Sequence, residues 1–257
     1  KALLENSKVV PTRTTLPILS CVLIEAKNNK LTTKTTDLEQ TMLVEVEGKI
    51  IEEGSAAVPI GKFIEIVSAL KETTVEVETK EQEVEINSDN GIYKIAGKDF
   101  AEYPDLPQTK PLQTLSFLNE EFLNIINSTT YAVSKDDLKP ALCGVYLKIE
   151  NQEAIAVATD GHRLVKYKTK LKAKQETTTS IIVPAKFFNI TKTKLEGEGE
   201  VKINISENHI DIQQKNSFLL SRIIKETFPD FNSVIPEKNP IKVKVEGKQL
   251  TEAIKRV

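Results

Sequence analysis

The chain has no tryptophan, one methionine, two histidines and two cysteines among 257 residues. Cys21, Cys143, His162 and His209 are scattered with no metal-ligand spacing, so neither a zinc site nor any other metal centre is expected. Two cysteines are also too few for the disulfide framework of a small secreted domain. No apolar run approaches the roughly 18 to 20 residues that span a bilayer, and no signal peptide is visible. Excess positive charge is missing as well. Thirty-five Lys and Arg stand against 37 Asp and Glu, a net charge of −2, which argues against a protein that grips nucleic acid by charge alone. At 39% hydrophobic and 28% charged, the composition is that of a soluble intracellular protein.

What is present is an internal repeat. Pro17 and Pro140 lie 123 positions apart, and the same offset superposes Pro17-Ile18-Leu19 on Pro140-Ala141-Leu142 and Thr36-Asp37 on Thr159-Asp160. The offset then drifts to 125 through a polar insert in the second copy. It aligns Val58-Pro59 with Val183-Pro184, Phe63 with Phe188, and Tyr103-Pro104-Asp105 with Phe228-Pro229-Asp230. Landmarks that keep their order over a domain length imply tandem copies of one fold. In this register Cys21 and Cys143 fall one position apart on equivalent strands, as small core residues of a reducing compartment. A third copy begins at the end, where Phe117 to Ile126 maps onto Val245 to Ile254 at an offset of 128. Lys1 aligns with Asn124, so the first copy is expected to lack the strand and helix start that Leu112 to Leu123 supply in the second. The resulting domains are 1–110, 111–236 and 237–257, a piece of a longer chain of at least three repeats.

Local patterns set the elements. Thr73 to Ile86 alternates Val75, Val77, Val84 and Ile86 with glutamates, and Val201, Ile203, Ile205, Ile210 and Ile212 repeat the pattern. A period of two marks strands with one wet face, and the short turns Lys80-Glu81-Gln82 and Glu207-Asn208 make each pair a hairpin. Helices are expected over Ile60 to Leu70 and Ala185 to Leu195, each opening after a proline. A third, Asn119 to Ala132, has Asn119 as cap, Glu121 in its first turn and the stripe Phe122, Ile125, Ile126. Each repeat is thus an α+β unit, two helices covering antiparallel sheet. Charge is segregated: Lys8, Arg13, Lys186, Lys192 and Lys194 collect on stretches without acids, read as helical, while glutamates crowd Glu72 to Glu85. Basic helices on one surface would suit a phosphate backbone.

Three functions are compatible with these features. Thr159-Asp160-Gly161-His162-Arg163 places an acid two residues from a base, as a hydrolase would require. No nucleophile, phosphate loop or metal cluster accompanies it, however, and the Asp recurs as Asp37 in a copy without the histidine, so a turn is the better reading. A repeat scaffold that binds only proteins is the second function, and a scaffold that tracks or encircles nucleic acid the third. The Thr-Asp pair common to both copies serves the fold. Gly161-His162-Arg163-Leu164, which differs, is the candidate for function.

Thr14-Thr15-Leu16-Pro17-Ile18-Leu19-Ser20, Thr35-Thr36-Asp37-Leu38-Glu39, Ala158-Thr159-Asp160-Gly161-His162-Arg163-Leu164 and Phe228-Pro229-Asp230-Phe231 closely resemble the β sliding clamp family, the processivity subunits of bacterial DNA polymerase III. The resemblance runs the length of the chain, in order. It implies a noncatalytic homodimeric ring, inner helices lining duplex DNA and outer antiparallel sheets, without cofactor. It further implies cytoplasmic, nucleoid-associated work with the replicative polymerase, the clamp loader and repair proteins, held through short peptides. Carried over by position, the peptide pocket comprises Leu142, Thr159, Gly161, His162, Arg163, Leu164, Pro229 and Val234. Arg13 would approach DNA, with Lys186, Lys192 and Lys194 as further DNA-facing cations. Ser233 departs from members that place an arginine there, which puts the contacts from that side in question.

Overall fold

A computed structural model describes residues 1–70, 74–80, 82–172, 178–195, 197–237 and 239–256. In the first copy, helix α1 (Ala2–Asn6) precedes strands β1 (Cys21–Lys27), β2 (Lys30–Thr36), β3 (Gln40–Val46) and β4 (Gly54–Pro59). Helix α2 (Ile60–Ala69) and strands β5 (Glu76–Lys80), β6 (Glu83–Ser88) and β7 (Gly91–Ala96) complete it. The second copy opens with β8 (Gln113–Leu118) and α3 (Asn119–Thr129), then β9 (Gly144–Glu150), β10 (Glu153–Thr159), β11 (Leu164–Lys170) and β12 (Thr179–Pro184). It continues through α4 (Ala185–Lys192), β13 (Glu200–Ile205), β14 (His209–Gln214) and β15 (Ser217–Arg222). A last helix, α5 (Gly247–Ile254), stands apart.

The copies are fused through backbone. One eight-stranded antiparallel sheet runs β4-β1-β2-β3-β15-β14-β13-β8, so its two halves come from different copies and meet where Ser217 pairs with Val44 and Ser221 with Gln40. A four-stranded sheet, β11-β10-β9-β12, and a three-stranded one, β5-β6-β7, complete the layers. The core of the second copy takes Phe117 from β8, Leu147 from β9 and Ile203 from β13. Against them α3 and α4 pack Phe122, Ile125, Ile126, Phe187 and Phe188, all fully buried. Apolar residues at helical spacing on one side and every second strand residue on the other form this layer, and its burial is the main stabilising contribution.

Both prolines act as expected, standing immediately before α2 and α4. Three expectations need correction. Asn119 is not a cap. Its N–H continues the strand ladder to the Gly199 carbonyl (2.9 Å), so the helix boundary shifts to Leu118, whose N–H donates to the Glu121 carboxylate (3.0 Å). Lys8 and Arg13 are not helical, because α1 ends at Asn6 and the chain then runs through Pro11 to Leu16 without regular structure. Strand β5 is exposed at every position, Val77 included, because the buried face of its hairpin belongs to Val84 and Ile86 on β6. The third-copy segment forms α5, and residues 241–246 before it have no regular structure. Thr73, Glu81 of the first hairpin turn and 173–177 of the polar insert lie outside the described residues.

Gly144 opens β9 because nothing larger fits. A Cβ there would stand 2.7 Å from Ile182 Cγ2, 2.7 Å from the Val183 carbonyl oxygen and 2.8 Å from Ile224 Cδ1. Gly144→Ala should therefore destabilise the protein by about 1–3 kcal/mol, as overpacking does. A thermal melt indistinguishable from wild type would show that strand β12 and residue 224 can move aside.

Candidate functional site

Thr159 ends β10 and pairs with Leu164 at the start of β11, so the four residues between them form a tight turn. The Asp160 carboxylate builds that turn. Its Oδ1 accepts the N–H groups of His162 (2.9 Å) and Arg163 (3.0 Å), and Oδ2 pairs with Arg163 Nε at 3.0 Å. The Thr159 hydroxyl closes the base, donating to the Arg163 carbonyl (2.7 Å) and accepting from Gly161 N–H (3.1 Å). Gly161 takes φ +91°, a left-handed conformation natural to glycine. The first copy repeats the hydroxyl and backbone bonds of this turn, though not the Arg163 ion pair. Asp37 Oδ1 accepts from Glu39 (3.0 Å) and Gln40 (2.6 Å), Thr36 Oγ1 accepts from Leu38 N–H (3.0 Å), and Leu38 holds φ +75°. A leucine forced to positive φ shows how firmly the Thr-Asp pair dictates the backbone.

This geometry removes the acid–base reading. Backbone N–H groups from Arg163 and His162 hold the Asp160 carboxyl down at about 2, which makes it a poor proton acceptor near neutrality. Its oxygens face the turn's own backbone and Arg163.

Alternation along the strands sets the two faces of the β11-β10-β9-β12 sheet. Val145, Leu147 and Ile149 enter the core, while Tyr146 on β9 aligns with Val157 on β10 and Lys166 on β11 across the outer face. Thr159 and Leu164 form the next row on that face, and Leu142, half-buried before β9, lies at the same end. Over this face runs a strap, residues 223–235. Phe228 stacks on Tyr146 with centroids 5.2 Å apart, and Phe231 lies 5.9 Å from Tyr146. Lys166 fixes the far end, its ammonium 5.1 Å from the Phe231 ring centre and 2.9 Å from Asn232 Oδ1. Pro229 and Val234 are exposed on the strap, and Ser233 turns its hydroxyl back to the Asp230 carbonyl (2.8 Å). Thus the turn residues 159 to 164 are gathered at one site, while Pro229 lies on the strap that crosses Tyr146 and Val234 near the strap's end. The sequence reading missed Tyr146, Lys166 and Phe231 as supports. Phe231 stood in a quoted motif, but its partner on β9 had no local signal.

The basic residues separate into two groups. Lys186 Nζ reaches Asp37 Oδ2 (2.6 Å) and the Val9 carbonyl (3.0 Å), both in the first copy. Lys194, only 9% exposed, pairs with Glu5 and donates to Ser217 Oγ (2.8 Å). Both cations lie within reach of a first-copy carboxylate and so link the two copies; Lys194 is largely buried there, whereas Lys186 keeps 41% of its side chain exposed. Arg13 and Lys192 are exposed and form no ion pair among the described residues. Cys21 and Cys143 are both free thiols. No group of metal-ligating side chains, and no helix long and apolar enough to cross a membrane, occurs among the described residues.

Tandem α+β copies sharing one continuous sheet, with helices packed on one side and a strapped, turn-tipped sheet face on the other, define a clamp-type scaffold that positions partners. The models of the DNA polymerase III beta subunit match this chain twice, its N-terminal domain over residues 1–107 and its central domain over 117–230. The Bacillus subtilis beta sliding clamp is 31% identical over 259 residues, covering 97% of this chain and 68% of that protein. The crystal structure of a B. subtilis sliding clamp superposes with a TM-score of 0.92 at 30% identity, over 99% of this chain and 70% of the other. A Pseudomonas aeruginosa clamp bound to griselimycin superposes at 0.89 with 26% identity, over 99% and 70%. The chain belongs to the β sliding clamp family, the beta subunits of bacterial DNA polymerase III. It is an accessory processivity factor without catalysis of its own, cytoplasmic, acting as a dimeric ring that encircles duplex DNA and tethers polymerase and other peptide-bearing partners.

Proposed function

We propose that partner peptides dock on the outer face around Leu164, against Leu142, Thr159, Gly161, His162, Arg163, Pro229 and Val234. The observation that carries this reading is the turn from Thr159 to Leu164, which both copies build alike and only the second tips with Gly-His-Arg beside an aromatic-braced strap. Leu164 and Val234 supply apolar anchoring surface, and His162 and Arg163 supply polar orientation at the rim. That a relative takes up griselimycin is in keeping with a ligand-receptive clamp surface. The inner-surface assignment is narrower: Arg13 and Lys192 face DNA, and Lys186 and Lys194 hold the copies together. Domains 1–110, 111–236 and 237–257 are the units that repeat, and the protein works in association with the nucleoid.

Enclosure, unlike grip, predicts a specific outcome. The full-length protein, once loaded, should remain on circular duplex through high salt and leave linear duplex by its ends. Equal retention on both, lost steeply with salt, would mean ordinary electrostatic binding. In direct binding to short linear duplex, Arg13→Ala and Lys192→Ala should each lower the salt slope by about 1. An unchanged slope would remove that residue from the DNA-facing set.

A further inference from the structure

We propose that the lysines running down β11 from Leu164 form a basic track on the outer sheet face, which receives an acidic segment adjoining the docked partner peptide. This rests on the peptide-docking reading above. Alternate residues of a strand share a face, so Lys166, Lys168 and Lys170 follow Leu164 in a line about 20 Å long. All three lysines are exposed. Lys148 on β9 stands in the same row as Lys168, with Ile155 between them. Lys166 is taken up by the strap, through Phe231 and Asn232, so Lys148, Lys168 and Lys170 are the ones placed to meet a ligand.

Comparison of the copies shows that this charge is particular to the second one. At the offset of 123, Lys148, Lys168 and Lys170 stand where the first copy has Glu25, Glu45 and Glu47, and Glu150 and Glu153 stand where it has Lys27 and Lys30. All five charges are inverted. The registers agree, since Glu25, Thr32 and Glu45 form one row of the first copy just as Lys148, Ile155 and Lys168 do in the second. An ion pair even occupies the same place with reversed sign, Lys30 with Glu45 at 3.4 Å and Glu153 with Lys168 at 2.8 Å. Pairing within the fold requires opposite signs but is indifferent to which copy carries the lysines. They lie on the copy whose turn is tipped with Gly-His-Arg.

Charge complementarity, and the start of the line at Leu164, identify the occupant as an extended acidic peptide. An extended chain advances about 6.6–6.8 Å per two residues, as β11 does, so carboxylates four and six residues from the residue at Leu164 fall level with Lys168 and Lys170. Lys148 and Lys168 already pair with Glu150 (2.7 Å) and Glu153 (2.8 Å), but their side chains keep 36% and 54% exposure. Exposed pairs of this kind contribute little, so an arriving carboxylate can share or replace them. Glu150 and Glu153, in the row of Lys170, would repel a phosphate backbone laid across the face. In the first copy the same acidic segment would meet Glu45 and Glu47, which keeps it from the like-shaped turn there.

The test uses fluorescence polarisation on the full-length protein with a short polymerase-derived peptide, extended at either end by six glutamates or by six glutamines. At low salt one glutamate form should bind about fivefold tighter than the short peptide, the glutamine forms should gain nothing, and the gain should fade by about 0.5 M salt. Lys168→Glu combined with Lys170→Glu, which gives β11 the signs of the first copy, should abolish that gain, leave the short peptide's affinity unchanged and let a six-lysine extension gain instead. Lys168→Gln with Lys170→Gln makes the same test of the gain without placing a glutamate beside Glu153. Equal affinity of glutamate and glutamine forms, or a gain that survives both double variants, overturns the track. Loss of short-duplex binding in those variants, with the glutamate and glutamine forms equal, would assign these lysines to phosphate instead. Leu164→Asp separates the two readings. If it spares the short peptide, the docking site is misplaced and the track falls with it; if it abolishes binding while the glutamates gain nothing on the wild-type protein, only the track falls.

Discussion

Leu164→Asp should reduce the affinity for a polymerase-derived peptide by about 100-fold or more, while His162→Ala costs less than about tenfold. Burying a leucine-sized side chain contributes about 1.5–3 kcal/mol. An aspartate at that place loses this contribution and leaves a carboxylate in an apolar contact, a further penalty of about 1–3 kcal/mol. His162 is exposed on the turn, where a polar contact is worth about 1 kcal/mol net. Leu164 is only partly buried in the free protein, at the end of an edge strand, so its replacement should leave the melting temperature nearly unchanged. Peptide titration beside a thermal melt checks both statements. A folded Leu164→Asp protein with wild-type peptide affinity would place the docking site elsewhere.

The second large effect lies between the copies. Lys194→Ala should destabilise the protein by about 2–4 kcal/mol, because it strands the Glu5 carboxylate in a junction where both partners are largely removed from water. The two side chains are 9% and 20% exposed. Removing one member of a fully buried pair costs about 3–5 kcal/mol, and partial exposure of Glu5 reduces that figure. Glu5→Gln combined with Lys194→Met should recover much of the loss, since it leaves no unpaired charge behind. Chemical denaturation of the single and double variants decides this. Equal stability of Lys194→Ala and wild type would mean that Lys194 is an ordinary surface lysine, as its sequence context first suggested.

The contrast between those two residues explains what could be read in advance. Leu164 was found because its signal is local: it follows a Thr-Asp-Gly turn that recurs at a fixed offset, and the turn is made by side chains bonding to backbone two and three residues on. The same locality located α2, α4 and the β13–β14 hairpin, where a proline or a period of two is enough. Lys194 was misread because its partner is 189 positions away. A lysine among uncharged neighbours looks like a solvated or phosphate-facing cation until the fold brings a carboxylate to it.

By itself, then, the sequence determined the tandem repeat, the α+β class, the turn and the family resemblance, all carried by short-range chemistry or by register. The tertiary structure decided the rest. It joined β3 to β15 into one sheet across the copies, divided the cations into two that reach across the junction and two that form no ion pair, and laid Phe228 on Tyr146 while its counterpart Tyr103 is buried against Leu23. These features depend on which distant backbones and charges come within a few ångströms of one another, and no window along the chain contains both partners.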